Sequence, residues 1–138
     1  MDKSTKYLFD IVRKLDLPAG DWVIFGSGPL VAHGIRDHAH DVDILARGTA
    51  WEAAKKLGVA VQATMRDHAV RIHDDTIEIF DGWSPGEWDT DELIDNAVIV
   101  DGLPFVQLEQ VYKWKKIMGR VKDIKDIKAM DEYFLKND

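Results

Sequence analysis

The sequence predicts a mixed β-sheet with helices packed against it, an α/β or α+β fold in one domain over residues 1–138. Short apolar runs of strand length alternate with longer segments whose apolar residues recur at helical spacing. Some neighbouring strands are joined only by a tight turn, as at Asp101–Gly102, which favours antiparallel hairpins. A length of 138 residues is typical of one domain and long enough to bury a core.

Apolar spacing, glycines and prolines place the elements of the first half. Pro18 and Gly20 separate the first helix from the first strand, because both residues favour turns. Pro29 suits a first helical turn, where its missing N–H is not needed. In order, the predicted elements are a helix over 4–15 capped by Ser4, a strand over Trp22–Phe25, a short helix closed by Gly34, a strand marked by Val42, Ile44 and Leu45, and a helix over Ala50–Leu57 capped by Thr49.

β-rich segments and turn signals place the elements of the second half. Asp74 and Asp75 form a predicted hairpin turn, and Pro85 and Gly86 mark a polar loop. In order, the predicted elements are strands over Val59–Thr64, Ala69–His73 and Thr76–Phe80, a short helix over Asp89–Asp95, a hairpin of Ala97–Val100 and Leu103–Val106, and terminal helices over about Leu108–Met118 and Lys122–Leu135.

Composition indicates a folded protein and narrows its class. Hydrophobic residues make up 46% of the chain and five are tryptophans, which argues against disorder. The longest apolar run falls short of the roughly 20 residues of a membrane span, and the N-terminus lacks the apolar core of a signal peptide. The absence of cysteine excludes disulfides and thiolate metal sites, and it fits a reducing, cytoplasmic location.

The net charge of −7 is unevenly distributed along the chain. Residues 1–112 contain ten Lys and Arg against twenty Asp and Glu, whereas residues 113–128 contain seven against two. The acidic body argues against broad nucleic-acid binding, which depends on neutralisation of phosphates by Lys and Arg. The basic segment favours a local site for a nucleoside triphosphate or an RNA end, or else it is a solvated helix face.

Two aspartates on the predicted second strand, Asp41 and Asp43, are the first candidate for chemistry. Residues i and i+2 of a strand point to the same face, so these two carboxylates project together while Val42 packs on the other side. Burying two unpaired charges costs several kcal/mol each, and a Mg²⁺ ion would resolve that conflict because it prefers hard oxygen ligands. The alternative is a pair of exposed aspartates at a strand end.

The second candidate is the turn Gly26–Ser27–Gly28, which lies between a strand and a helix. Backbone N–H groups and the helix dipole favour an anion at such a position, and the Ser27 hydroxyl can donate to a phosphate oxygen. The alternative is an ordinary glycine-rich turn. If the two strands are neighbours, this turn faces the aspartate pair, as a metal–triphosphate complex would require.

These residues together resemble the signature of the nucleotidyltransferase (polymerase-β-like) superfamily. That signature has Gly-Ser at a helix start, an Asp-x-Asp strand and a third carboxylate on a neighbouring strand, here Glu78 or, at the strand end, Asp81. Small bacterial members also carry a helical segment of the form K-x4-R-x-KD-x2-D near their end. The positions of this chain that match it are Lys115, Arg120, Lys122, Asp123 and Asp126.

The resemblance covers about residues 23–130 and looks closest to stand-alone minimal nucleotidyltransferase-like proteins of bacteria, which include abortive-infection-type toxins. The chain departs from the family pattern at Ala39, where Ser or Thr is common, and at Glu78, where Asp is usual. By this resemblance, Asp41, Asp43 and Glu78 are expected to be catalytic and to hold two Mg²⁺ or Mn²⁺ ions.

The same resemblance implies the substrates. The Gly26–Gly28 turn and Ser27 would hold the β,γ-phosphates of an NTP such as ATP, and Lys115, Arg120 and Lys122 would neutralise its charge. A nucleoside monophosphate would pass to a hydroxyl acceptor on RNA, a protein or a small molecule, with a protein partner or a second copy of the chain as further candidates for contact.

Two other functions stay open on the sequence. A protein of the same fold can be a non-catalytic nucleotide- or protein-binding module. His38 and His40 precede Asp41 in an H-x-H-D-x-D pattern, which suggests a metal-dependent hydrolase, although the other histidines have no recognisable ligand spacing. In the polar loop, Trp83 and Trp88 would either stack on a base or pack against the terminal helices.

Overall fold

The computed structural model describes residues 1–137, in which helices and strands alternate and hairpins join some of the strands. The helices are α1 (Lys3–Lys14), α2 (Gly28–Ala32), α3 (Gly48–Leu57), α4 (Thr90–Asp95), α5 (Leu108–Met118) and α6 (Val121–Lys136). The strands are β1 (Trp22–Phe25), β2 (Val42–Ala46), β3 (Ala60–Gln62), β4 (His68–Ile72), β5 (Ile77–Phe80), β6 (Val98–Val100) and β7 (Leu103–Phe105).

The strands form one mixed sheet in the order β3-β4-β5-β2-β1-β7-β6. β1 and β2 are antiparallel neighbours, whereas β2 pairs with β5 and β1 pairs with β7 in parallel. The outer pairs, β3 with β4 and β6 with β7, are antiparallel hairpins, and β4 also pairs antiparallel with β5. The α+β fold class with a mixed sheet and two C-terminal helices is therefore confirmed.

Each face of the sheet carries its own apolar core, because alternate residues of a strand point to opposite sides. On β1, Ile24 packs with residues of α1 and α3, including Phe9 and Ala50. Its neighbour Phe25 packs on the other face with residues of α4, α5 and α6, including Trp114. The sheet thus lies between two layers of helices, and the two C-terminal helices cover one face only.

Two predicted helix caps are wrong. Asp2, rather than Ser4, caps α1: its Oδ1 accepts a hydrogen bond of 2.9 Å from the backbone N–H of Thr5. The third helix begins earlier than predicted, with Arg47 at the capping position, and Thr49 instead donates from its Oγ1 to Asp21, at 2.6 Å. In both cases the capping residue depends on the path of the preceding chain, which the residue type alone does not specify.

The predicted tight turns occur where glycine or aspartate tolerates a positive φ. Asp101 and Gly102 have φ of 49° and 79°, the combination typical of a two-residue hairpin turn, and they join β6 to β7. Asp74 and Asp75, with φ of 54° and 61°, join β4 to β5. The least accurate boundary is that of β3, which is three exposed residues long at the edge of the sheet. Among residues 1–137, no helix combines the length and the apolar character needed to cross a membrane.

Candidate functional site

The registers of three strands bring the predicted carboxylates and the glycine turn to one place. Asp43 on β2 lies opposite Phe25, the last residue of β1, and beside Glu78 on β5. The flanking Ile77 and Ile79 are fully buried on the opposite face, so Glu78 points toward the side covered by α5 and α6. The prediction that the turn and the aspartate pair face one another is confirmed.

A cavity of about 280 Å³ opens at this place. Its lining joins the turn, the three carboxylates, an aromatic wall and two cations from the start of α6. The residues are Gly26, Ser27, Asp41, Asp43, Thr64, Glu78, Phe80, Gly82, Trp83, Ser84, Trp114, Arg120 and Lys122. Of the nine predicted site residues, seven line this one cavity; Gly28 is buried just behind the turn and Lys115 is buried beneath the cavity.

Asp43 is the most perturbed carboxylate of the site. Burial raises its pKa to about 7, and the negative charges of Asp41 and Glu78 act in the same direction, opposed by Lys122 and Lys115. A carboxyl group with a pKa near 7 holds or releases its proton readily at neutral pH. The site therefore contains stored electrostatic repulsion that a bound cation would relieve.

Gly26 permits the turn to approach Asp43 closely. Its φ is +66°, a conformation that L side chains rarely adopt, and a Cβ atom built there would lie 2.6 Å from Asp43 Oδ2. Any other residue at this position would collide with the carboxylate or displace it. The glycine is thus required by the proximity of the turn to the aspartate pair.

The hydroxyl of Ser27, the residue before α2, faces the cavity and does not cap the helix. Among the described residues, its side chain makes no capping bond. The predicted contribution of a helix dipole is small, because α2 has only five residues and Pro29 in its first turn has no N–H. Ser27 Oγ instead lies within 3.2 Å of Arg36 Nη1 and 3.4 Å of Lys115 Nζ.

Glu78 is already engaged by a cation that sequence reasoning missed. Arg71 lies directly opposite it on β4, and Arg71 Nε is 2.8 Å from Glu78 Oε2. This ion pair orients the carboxylate toward the sheet neighbour. Asp81, the alternative third carboxylate, binds His68 instead, accepting from its backbone N–H at 2.7 Å.

Within residues 1–137, no three His, Asp or Glu side chains are arranged closely enough to form a metal site as they stand. The donor set still fits a hard divalent cation: Asp41 and Asp43 supply oxygen ligands in one cavity, and Mg²⁺ commonly takes one or two carboxylates plus water and substrate phosphates. Glu78 would join them only at the expense of its pair with Arg71.

Lys115 lies in a buried ion network rather than on the cavity surface. Its side chain is 1% exposed, and its Nζ is 2.9 Å from Asp126 Oδ2 and 3.5 Å from Asp123 Oδ1. Burial alone would raise the pKa of Asp123, but hydrogen bonds from Arg120 and the charge of Lys115 hold it below its usual value. The two aspartates of the basic segment therefore point inward and are neutralised there.

Arg120 and Lys122 line the cavity, and they differ in their freedom. Arg120 forms two hydrogen bonds to Asp123, of 2.6 Å from Nε and 3.0 Å from Nη2, which fix its guanidinium at the start of α6. Lys122 is exposed and does not pair with Asp126, four residues further along, because Asp126 is paired with Lys115 and Arg36. In the described part of the chain, none of the exposed lysines of this segment forms an ion pair: Lys113, Lys116, Lys122, Lys125 and Lys128.

The tryptophans of the polar loop pack rather than present a free ring face. Trp83 stacks on Phe25 with ring centroids 4.3 Å apart, and Trp114 and Phe80 also contact it. Trp88 meets Phe25 edge-on, and its Nε1 donates to the Pro85 carbonyl at 2.8 Å. Trp83 lines the cavity but is only 8% exposed, so packing accounts for most of its surface.

His38 and His40 form a local hydrogen-bonded chain. His38 Nδ1 is 2.7 Å from Asp2 Oδ2, and His38 Nε2 is 3.1 Å from His40 Nδ1. Between these residues, Ala39 is buried, and its N–H donates to Thr5 Oγ1 at 3.0 Å. These contacts hold the segment that leads into Asp41 against the N-terminus of α1.

Comparison with known proteins identifies no relative of this chain: no family model, no curated protein and no solved structure matches it.

Proposed function

We propose that this protein is a minimal nucleotidyltransferase, which transfers a nucleoside monophosphate from an NTP, bound with Mg²⁺ or Mn²⁺, to a hydroxyl acceptor. The observation that supports this proposal is the composition of one cavity. Asp41, Asp43 and Glu78 line it together with Ser27 and the cations Arg120 and Lys122. A cavity lined by both carboxylates and cations suits a ligand that combines a divalent cation with a polyphosphate.

The carboxylates and the cations of the cavity have different roles in the proposed reaction. Asp41 and Asp43 would hold the divalent cation, whose chemistry when bound is to neutralise charge on the phosphoryl oxygens. Ser27 would donate to an oxygen of the β- or γ-phosphate, and Arg120 and Lys122 would neutralise the rest of the triphosphate. Lys115, being buried, would act through the network that it organises rather than by direct contact.

The bond changes are those of an in-line phosphoryl substitution. The acceptor oxygen forms a bond to the α-phosphorus while the bond from that phosphorus to the bridging oxygen breaks, and pyrophosphate leaves. The proton of the acceptor hydroxyl passes to a carboxylate, for which Glu78 is the candidate. Glu78 would need to exchange its contact with Arg71 for one with the acceptor.

The exposed lysines of residues 113–128 favour an anionic acceptor. One of them, Lys122, lines the cavity, and within the described residues none of them pairs with a carboxylate. Of the three acceptor classes, RNA fits this surface best, because counterion release from phosphates would strengthen its binding at low salt. A protein or small-molecule acceptor would instead show little dependence on salt.

A second function is favoured by one observation, the ion pair between Arg71 and Glu78. If that pair persists in the presence of metal and nucleotide, the third carboxylate is never free. The protein would then be a non-catalytic nucleotide- or protein-binding module. A metal-dependent hydrolase differs from both of these functions, because it requires His38 and His40 to bind the metal.

The test is a transfer assay with each labelled NTP, Mg²⁺ or Mn²⁺, and tRNA, protein or the chain itself as acceptor. We expect Asp41→Asn and Asp43→Asn each to reduce transfer about 100-fold or more, since several kcal/mol of transition-state stabilisation is lost. Asp37→Asn is the matched control, because this aspartate lies on the same loop with its side chain 92% exposed.

Three results would decide between the alternatives. Absence of transfer under every condition, with metal–NTP binding unchanged in both Asn variants, would contradict the catalytic proposal. Normal binding of nucleotide without transfer would support the module. Loss of metal binding in His38→Ala and His40→Ala, with Asp43→Asn unaffected, would support a hydrolase.

A further inference from the structure

The hydroxyl of Ser27 has both of its acceptor positions occupied by cations. Arg36 Nη1 donates to Ser27 Oγ at 3.2 Å, and Lys115 Nζ donates to it at 3.4 Å. A serine hydroxyl has two lone pairs and one proton. With both lone pairs used, Ser27 can contribute only its proton to a ligand.

The hydroxyl proton of Ser27 is available only to a ligand in the cavity. None of residues 1–137 is seen to accept a hydrogen bond from Ser27, and Ser27 lines the cavity. A ligand at this point must therefore offer an acceptor. Phosphoryl oxygens at neutral pH are acceptors, whereas an ammonium group has no lone pair that could accept this proton.

Arg36 is held in this position by contacts that do not involve Ser27. Its backbone N–H bonds to the carbonyl of the buried Leu30 at 3.3 Å, and Nη1 also bonds to Asp126 Oδ2 at 3.2 Å. Asp126 is bound in turn to Lys115, so the two cations that reach Ser27 share one carboxylate. The Arg36 side chain is 28% exposed, and the residue is held both at its backbone and at its guanidinium.

The charge of this group also favours an anion. Three cations, Arg36, Lys115 and Arg120, surround two carboxylates, Asp123 and Asp126. Counted by itself, this network has one positive charge in excess, although the charge of Lys115 also acts on the carboxylate of Asp43. An anion that accepted the Ser27 proton would be attracted by the network once a divalent cation had offset the cavity carboxylates.

We propose that Arg36 is a positioning residue, which together with Lys115 turns the Ser27 hydroxyl into a fixed donor to a phosphoryl oxygen. The site would accordingly favour a phosphoryl group over a ligand that presents only donors at this point. This inference rests on the proposed function for the identity of the whole substrate, but its test needs only inorganic tripolyphosphate and Mg²⁺.

The experiment is a double-mutant cycle on binding of tripolyphosphate, measured by calorimetry at constant Mg²⁺. The variants are Arg36→Met, Ser27→Ala and the double variant, with Arg36→Lys as the conservative replacement. We expect Arg36→Met to weaken binding about tenfold in the wild-type background and less than about twofold in the Ser27→Ala background, because residues that act through one another are not additive. Arg36→Lys should bind within about threefold of the wild type.

The outcomes separate positioning from general attraction. Equal losses from Arg36→Met in both backgrounds would show that Arg36 acts by charge alone and would overturn the proposal. So would a wild-type protein that fails to bind tripolyphosphate. If Arg36→Met does not fold, as judged by circular dichroism, the cycle is run with Arg36→Gln, which also removes the charge, and an additive result there is equally fatal.

The proposed function can fail independently. A protein that binds tripolyphosphate with strong coupling between Arg36 and Ser27, but transfers no labelled nucleotide, would retain the phosphate site and lose the transferase proposal. Nucleotide transfer together with an additive mutant cycle would instead support the transferase proposal and overturn the positioning role of Arg36.

Discussion

Replacement of Asp43 by asparagine should stabilise the metal-free protein at alkaline pH. Asp43 is largely buried, and its pKa is raised to about 7 by burial and by the charges of Asp41 and Glu78. Between pH 3.8 and 7 the unfolded chain has lost this proton while the folded protein retains it, so the free energy of unfolding falls as pH rises. Above pH 7 the full cost is present, and below pH 3.8 it is absent.

The size of this cost follows from the two pKa values. The difference between about 7 in the folded protein and 3.8 for an unperturbed aspartate corresponds to at most about 4 kcal/mol. The cavity is open to solvent and mobile ions, whose screening reduces the figure to about 2 kcal/mol. For a protein of this length, Asp43→Asn should then raise Tm by roughly 6–8 °C.

The assay is thermal unfolding in EDTA at pH 8 and pH 4, for the wild type and Asp43→Asn. The gain should be largest at pH 8 and small at pH 4, where the wild-type carboxyl is protonated in the folded state. Addition of Mg²⁺ at pH 8 should narrow the gap, because a cation that binds only the folded wild type stabilises it by mass action.

Asp126→Asn is the matched control with the opposite sign. Asp126 is buried but paired with Lys115 and Arg36, so its loss leaves two cations with fewer partners and should cost about 3 kcal/mol. An Asp43→Asn variant that is no more stable than the wild type at pH 8 in EDTA would refute the idea of an unrelieved buried charge.

Three further predictions concern the surroundings of the site. Gly26→Ala should cost about 1–2 kcal/mol and displace the Asp43 carboxylate, since the new Cβ would lie 2.6 Å from it in a strained backbone; unchanged stability and unchanged Mg²⁺ binding would count against this. Arg71→Met should release Glu78 and tighten Mn²⁺ binding about threefold to tenfold in a calorimetric titration, whereas unaltered affinity would mean that Glu78 does not bind the ion. Arg47→Met should lower the free energy of unfolding by about 1 kcal/mol in urea without affecting Mg²⁺ binding, because its three aspartate partners lie away from the cavity; a change in binding would link that end of the sheet to the site.

Several features of the site could be predicted because they depend on neighbours in the chain. The alternation of a strand was enough to place Asp43 and Glu78 on a different face from the buried isoleucines beside them. Turn residues were enough to identify the hairpin at Asp101–Gly102. The glycine turn was recognised from its place between a strand and a helix.

Other features depend on residues that are far apart in the chain. Arg36 and Asp126 are 90 positions apart in the chain, and they form a hydrogen bond only because α6 packs beside the loop that follows α2. Local sequence patterns cannot predict such a contact. The burial of Lys115 and the inward direction of both aspartates have the same cause. The sequence of a basic helical segment does not show whether its aspartates point to solvent or to the core.

The composition of the candidate site can be read from the amino-acid sequence: a glycine turn with a hydroxyl, an aspartate pair and a basic segment. Local periodicity and turn chemistry specify these, since they require only neighbours within a few residues. The pairing of the charges, in contrast, depends on the packed fold. Strand register set Arg71 against Glu78, and helix packing set Arg36 and Lys115 on Ser27, because such contacts depend on the packing of distant elements.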